Sequence, residues 1–165
     1  MTLQPPADSI LVQSDDFDVA SEYQQLCTNN PDDGAVVFFV GRVRDLNDGD
    51  QVQQLELQHY PGMTEKALGS IVADARQRWQ LGRVRLIHRV GPMNVEDQIV
   101  FVGVSSPHRG NAFDAAAFIM DFLKSRAPFW KKERILDGQG QTQSERWVEA
   151  RDSDQQALQR WQADS

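Results

Sequence analysis

The stretch "IVFVGVSSPHRGNAFDAAAFIMDFLKSRAP", residues 99–128, carries a strand, a loop and a long helix within thirty residues. Its first eight residues, Ile99 to Ser106, are rich in β-branched and aromatic side chains and read as a buried strand. A short polar loop, "PHRGN", follows, and the helix it opens runs to about Ala127. Pro128 forbids continuation, because it lacks an N–H and disfavours helical geometry in the residue before it. Upstream, "RVRLIHRV" (83–90) is a second strand, joined to the first by a turn through "GPMNVED" (91–97). Before it, "PGMTEKALGSIVADARQRW" (61–79) reads as a helix capped near Thr64, with Leu68, Ile71, Val72, Ala75 and Trp79 on one stripe.

Nearer the N-terminus, "SILVQ" (9–13) reads as a strand, "DVASEYQQLC" (18–27) as a helix and "PDDG" (31–34) as a turn. "AVVFFVGRVR" (35–44) and the alternating "VQQLELQHY" (52–60) are strands separated by the turn-forming "DLNDGD", and are expected to pair as a hairpin. Toward the C-terminus, "DGQGQTQS" (137–144) reads as an exposed loop and "RWVEA" (146–150) as a strand. "DSDQQALQRW" (152–161) reads as a terminal helix with Asp152 as its cap. Strands and helices mix without regular βαβ alternation, so the fold class is α+β. At 165 residues, one domain spanning 1–165 is expected.

Composition narrows the function. The hydrophobic and charged fractions, 40% and 25%, are those of an ordinary globular chain. No signal peptide or membrane-spanning run is visible, and the most apolar segment, "AVVFFV" (35–40), is far too short to cross a bilayer. A single cysteine, Cys27, suits a reducing compartment, and a cytoplasmic protein is expected. The net charge of −7 argues against nucleic-acid binding. Yet residues 108–134 hold six Lys/Arg against three Asp/Glu, whereas residues 1–50 hold two against ten. A basic cluster in an acidic chain points to a small anionic ligand.

Three places supply those cations. On the helix ending at Ala127, Asp114, Phe118, Asp121 and Ser125 share one sector, read as the solvent face. Lys124 lies roughly 80° from Asp114, on the stripe of Phe113, Ala117 and Met120. A snorkelling lysine at a helix end is the plain alternative to a functional one. At the start of the same helix, His108 and Arg109 stand beside free backbone N–H groups, an arrangement that attracts phosphate or carboxylate. In "FFVGRVRD", alternation puts Arg42 and Arg44 on one face, with Gly41 permitting a bulge or close approach. Pairing with Asp45, Asp48 or Asp50 is the simpler reading of those arginines.

Other chemistries find no support. There is no P-loop, no GxGxxG and no Gly-x-Ser-x-Gly elbow. Three scattered histidines and one cysteine lack metal-ligand spacing, so no metal site is expected.

The segments "GRVR", "HYPGMTEKAL", "RWQLGRVRLIHRVG", "DQIVFVGVSSPHR", "FIMDFLKSRAPFWKKE" and "RWVEARDSD" together resemble the large, catalytic subunit of molybdopterin synthase. The resemblance covers about residues 33–161 in matching order. It implies a hammerhead-type α/β architecture within the α+β class and a homodimer core carrying a small, ubiquitin-like sulfur-carrier subunit at each end, a heterotetramer. The implied reaction is a sulfurtransferase step of molybdenum cofactor biosynthesis. Cyclic pyranopterin monophosphate (precursor Z) becomes molybdopterin as dithiolene sulfurs arrive from the carrier's C-terminal thiocarboxylate. No cofactor is implied, since the partner donates the sulfur. No nucleic acid or membrane partner is implied.

By position, the resemblance assigns Lys124 and Lys131 to catalysis. It assigns Arg42, Val43, Arg44, His108, Arg109, Lys132 and Glu133 to substrate binding, together with Arg151, which the resemblance has reaching a pocket of the neighbouring subunit. A lysine held in an apolar setting exchanges its proton more readily, which suits acid–base work, and Phe129 and Trp130 are expected to wall the site against water. Three departures stand out: residues 1–30 match loosely, "DGQGQTQS" lengthens a loop, and Glu96 occupies a turn position where the family often has glycine. Two rival readings remain at this stage. One is a non-catalytic binding module for an acidic protein tail or other anionic ligand. The other is an unrelated phosphate-ester enzyme that uses His108 and Arg109.

Overall fold

The computed structural model describes residues 7–44, 54–136, 139–148 and 152–162. Its centre is the quoted stretch: strand β6 (Gln98–Ser106) feeding helix α3 (Arg109–Arg126). β6 is buried along most of its length because both of its faces are covered. It sits in a four-stranded sheet of order β1-β4-β6-β2, built with β1 (Asp8–Gln13), β2 (Ala35–Arg42) and β4 (Val84–Arg89). β1 runs parallel to β4, and the other two pairings are antiparallel.

The period-two alternation of the strands sorts the core. Leu86, Val100, Val102 and Val104 face α3 and helix α2 (Met63–Arg78), where Leu68, Ile71, Val72, Ala115, Phe118 and Ile119 close a largely solvent-free cluster. Ile87 and Phe101 point the other way, against Phe17 and Leu26 of the segment around helix α1 (Val19–Cys27). Each fully buried side chain of this size contributes roughly 1.5–3 kcal/mol relative to exposure. α1 begins where the sequence places it, with Asp18 accepting the Ser21 N–H at 2.9 Å.

A second, antiparallel sheet has the order β5-β3-β7-β8, from β3 (Gln54–His59), β5 (Gly91–Asn94), β7 (Phe129–Leu136) and β8 (Thr142–Val148). Helix α4 (Asp152–Gln162) returns to pack on α3. The α+β class is as read from the sequence, but several local expectations give way.

β2 and β3 do not form a hairpin. β2 pairs with β6 in the first sheet, and β3 pairs with β5 and β7 in the second. The supposed turn at 91–97 contains β5, and the supposed loop at 137–144 already belongs to β8 from Thr142 onward. α2 is capped at Gly62, whose N–H donates to the Glu65 carboxylate at 2.6 Å. Thr64 instead lies buried in the first turn, donating to the Tyr60 carbonyl at 2.8 Å. Finally, the sector of Asp114, Phe118, Asp121 and Ser125 is a solvent face only at Asp114. Phe118 is buried under Trp79 and Trp161, because α4 covers that side of α3.

Candidate active site

The two sheets and the C-terminal end of α3 meet around a cavity of about 450 Å³. Its apolar wall comes from Leu55 and Leu57 of β3, Ile99 and Val100 of β6, and Met120 and Leu123 of α3. Into it project Arg42 from the last position of β2 and Arg44 just beyond it, Lys124 from the last turn of α3, and Lys131 and Glu133 from β7. Two further polar residues reach it: His88 from β4 and Asp154 from α4. Among the described residues the lining thus carries four cations against two carboxylates, in a chain whose net charge is −7. A cavity with that balance and low-dielectric walls favours an anion.

Local geometry explains each placement. β7 begins directly after Pro128 has stopped α3, so Lys124 and Lys131 face one space although they belong to a helix and a strand. Alternation along β7 puts Phe129, Lys131 and Glu133 on the cavity side. Trp130 and Lys132 therefore face away. Trp130 packs edge-on against Tyr60 at 4.6 Å, and Lys132 lies 5.3 Å over Trp147 while pairing with Glu145 at 2.8 Å. So Phe129 walls the cavity as expected, whereas Trp130 does not, and Lys132 is not part of the lining.

The Arg42–Arg44 segment is fixed by its backbone. The β2–β6 register shifts between Gly41 and Arg42, where a Cβ on Gly41 would lie 2.6 Å from Val100 Cγ1. Val43 is buried, its N–H donates to the Asp97 carbonyl at 2.8 Å, and its carbonyl accepts from the Glu96 N–H at 2.7 Å. Arg42 Nε donates to the Glu96 carbonyl at 3.1 Å. Glu96 itself holds a φ of 80°, the left-handed region that favours glycine.

Charges inside the cavity are partly tied. Lys124 is 51% exposed, with its Nζ 4.0 Å from Asp154 Oδ1, so its surroundings are less apolar than its helical stripe implies. Glu133 is buried and accepts from Arg146 Nε at 2.8 Å. His88 is buried, stacked on Phe129 at 3.8 Å with 16° between the rings, and its Nδ1 lies 2.9 Å from the Arg89 carbonyl oxygen. Burial, with Lys131 and His59 nearby, opposes a charge on this ring and pushes its pKa down to about 4.

Six residues expected at the site, Arg42, Val43, Arg44, Lys124, Lys131 and Glu133, thus share one cavity. His108 and Arg109 do not. They stand exposed at the opposite end of α3 from Lys124, roughly 22 Å away for fifteen residues at the helical rise. Arg151 lies outside the described residues. Sequence reasoning missed His88 and Asp154. For His88 a signal existed, since alternation along β4 aligns it with the buried Val84 and Leu86. Asp154 carries no such mark, because only the docking of α4 brings it to Lys124.

Comparison with known proteins supplies the context. Residues 12–126 match the family model described as MoaE protein. The chain is 59% identical to the molybdopterin synthase catalytic subunit of Salmonella typhimurium over 152 residues, covering 92% of this chain and 97% of that protein. It is 57% identical to the Escherichia coli protein of the same name, with the same coverage. Among solved structures, the molybdopterin biosynthesis MoaE protein from Burkholderia ambifaria is similar at a TM-score of 0.77 and 49% identity, covering 94% of this chain and 98% of that one.

Proposed function

This chain belongs to the MoaE protein family, and on that premise we propose that it is the catalytic subunit of a molybdopterin synthase. Its substrate is cyclic pyranopterin monophosphate, and its partner is a small sulfur-carrier subunit whose C-terminal thiocarboxylate supplies the dithiolene sulfurs. The observation that carries this reading is the shared cavity: two lysines from different elements and two arginines line one space of a size suited to a small ligand.

The roles follow from the chemistry. Substrate phosphate and carrier tail are both anionic, so the arginine side, Arg42 and Arg44, holds negative charge by forked hydrogen bonds. Lys131 and Lys124 transfer protons and stabilise the oxyanions formed as thiocarboxylate sulfur adds to the pterin side chain. Asp154 holds the Lys124 ammonium at the cavity edge. The chain needs no bound cofactor of its own for this step, since the sulfur arrives on the carrier.

A homodimer fits the same reading. His108 and Arg109 are too far from Lys124 along α3 to touch one small ligand with it, so in this reading they act from a second copy of the chain. Phe38 and Phe39 on the edge strand β2, with Phe113 of α3, are 43–62% exposed and give such a copy an apolar surface to close on. No helix among the described residues is long and apolar enough to cross a membrane, which accords with a cytoplasmic location.

The test is to mix the purified protein with thiocarboxylated carrier and cyclic pyranopterin monophosphate and to look for molybdopterin. Dithiolene product supports the proposal. Tight carrier binding without product refutes it in favour of a non-catalytic module.

A further inference from the structure

Among the cavity residues, His88 is the one whose chemistry neither the cations nor the carboxylates explain. It is 5% exposed, and its ring lies flat on Phe129 at the junction of the two sheets. Its Nδ1 faces the Arg89 carbonyl oxygen at 2.9 Å. A carbonyl can only accept, so Nδ1 carries the hydrogen of the neutral ring. Nε2 is then a bare lone pair. The ring lines the cavity, and no donor among the described residues forms a hydrogen bond to Nε2.

Taking the functional reading above as its premise, we infer that His88 Nε2 is a ligand-binding acceptor that receives a ring N–H of the bound pterin. Three observations carry it. No protein donor among the described residues is bonded to Nε2 and its ring lines the cavity, so the donor that completes it is one that arrives with the ligand. The groups closest in charge, Lys131 and His59, together with burial, keep the ring neutral near pH 7, so it accepts and does not bind anions. The other polar groups divide the cavity chemically, with Arg42 and Arg44 suited to a phosphate and His88 suited to an N–H. A flat heterocycle rich in N–H groups that also carries a phosphate matches both halves.

The test uses the wild-type protein with ¹⁵N-labelled histidine and no carrier, so that cyclic pyranopterin monophosphate binds without turning over. The bare Nε2 resonance of His88, assigned by its loss in His88→Asn, should move toward the protonated-nitrogen position on saturation. In parallel, ligand affinity is measured for two variants. His88→Asn keeps an amide N–H near the Nδ1 position but removes the acceptor at Nε2, and should bind about tenfold more weakly. His88→Gln places an amide oxygen within reach of the Nε2 position and should recover most of that loss. Thermal midpoints check that the variants fold. If either does not, the wild-type resonance decides alone.

A saturated wild-type complex with an unmoved Nε2 resonance, or a folded His88→Asn that binds as tightly as wild type, overturns the inference and leaves the functional reading intact. A wild-type protein that binds no pterin phosphate at all overturns the functional reading, and this inference with it.

Discussion

Replacing Trp161 by alanine should detach helix α4 and, with it, the carboxylate beside Lys124. α4 has only 11 residues, and a free helix of that length is marginal in water, so α4 persists because it is docked. The docking centres on Trp161, which is 5% exposed and meets Trp79 and Phe118 edge-on at 5.5 and 5.4 Å. Its indole N–H donates to Asp121 Oδ2 at 2.7 Å, and its carbonyl accepts from Arg78 Nη2 at 3.1 Å. Truncating a buried tryptophan costs about 3–5 kcal/mol, more than a single short helix retains once its anchor is gone. Amide hydrogen exchange should therefore show α4 unprotected in Trp161→Ala while β6 keeps most of its protection. Trp161→Phe, which keeps the ring contacts but loses the bond to Asp121, should cost only about 1–2 kcal/mol. Wild-type protection of α4 in Trp161→Ala would refute the argument.

Three further outcomes can be checked by unfolding measurements. Glu96→Gly should stabilise the protein by about 0.5–1 kcal/mol in urea, as relief of left-handed strain outweighs glycine's extra chain entropy; a loss of stability would contradict the strain. Gly41→Ala should destabilise by about 1–3 kcal/mol, because the added Cβ would lie 2.6 Å from Val100 Cγ1; an unchanged urea midpoint would show that β2 accommodates it freely. His88 binds a proton below about pH 4 when folded and near 6.5 when unfolded, so the unfolded state holds more protons between those values. Stability should then be fully present above pH 6.5 and decline by about 3 kcal/mol as pH falls to 4. His88→Asn should flatten that part of the stability profile, and an equally steep variant profile would place the titration elsewhere.

The sequence was legible where one rule governed a segment. The apolar, β-branched runs of β4 and β6, the helical run of α1 and the Pro128 stop each acted locally, and each predicted element is present. It was illegible where partners distant in sequence decided the outcome. β2 and β3 look like a hairpin from their spacing, yet each finds a better partner in a different sheet. Phe118 falls among polar neighbours on the helix wheel, and it is buried by Trp79 and Trp161, 39 and 43 positions away. Lys124, Lys131 and the Arg42–Arg44 segment were found from motif resemblance and charge. Their convergence on one cavity depends on β7, whose run "FWKKERIL" mixes charges and rings so evenly that no strand was expected there.

The most direct test of the central claim is single-turnover formation of molybdopterin by Lys131→Ala beside the wild type. Both proteins would be given thiocarboxylated carrier and cyclic pyranopterin monophosphate, with carrier binding measured separately. The cavity chemistry predicts product from the wild type, nearly none from Lys131→Ala, and unchanged carrier binding by both. Full turnover by Lys131→Ala would contradict it.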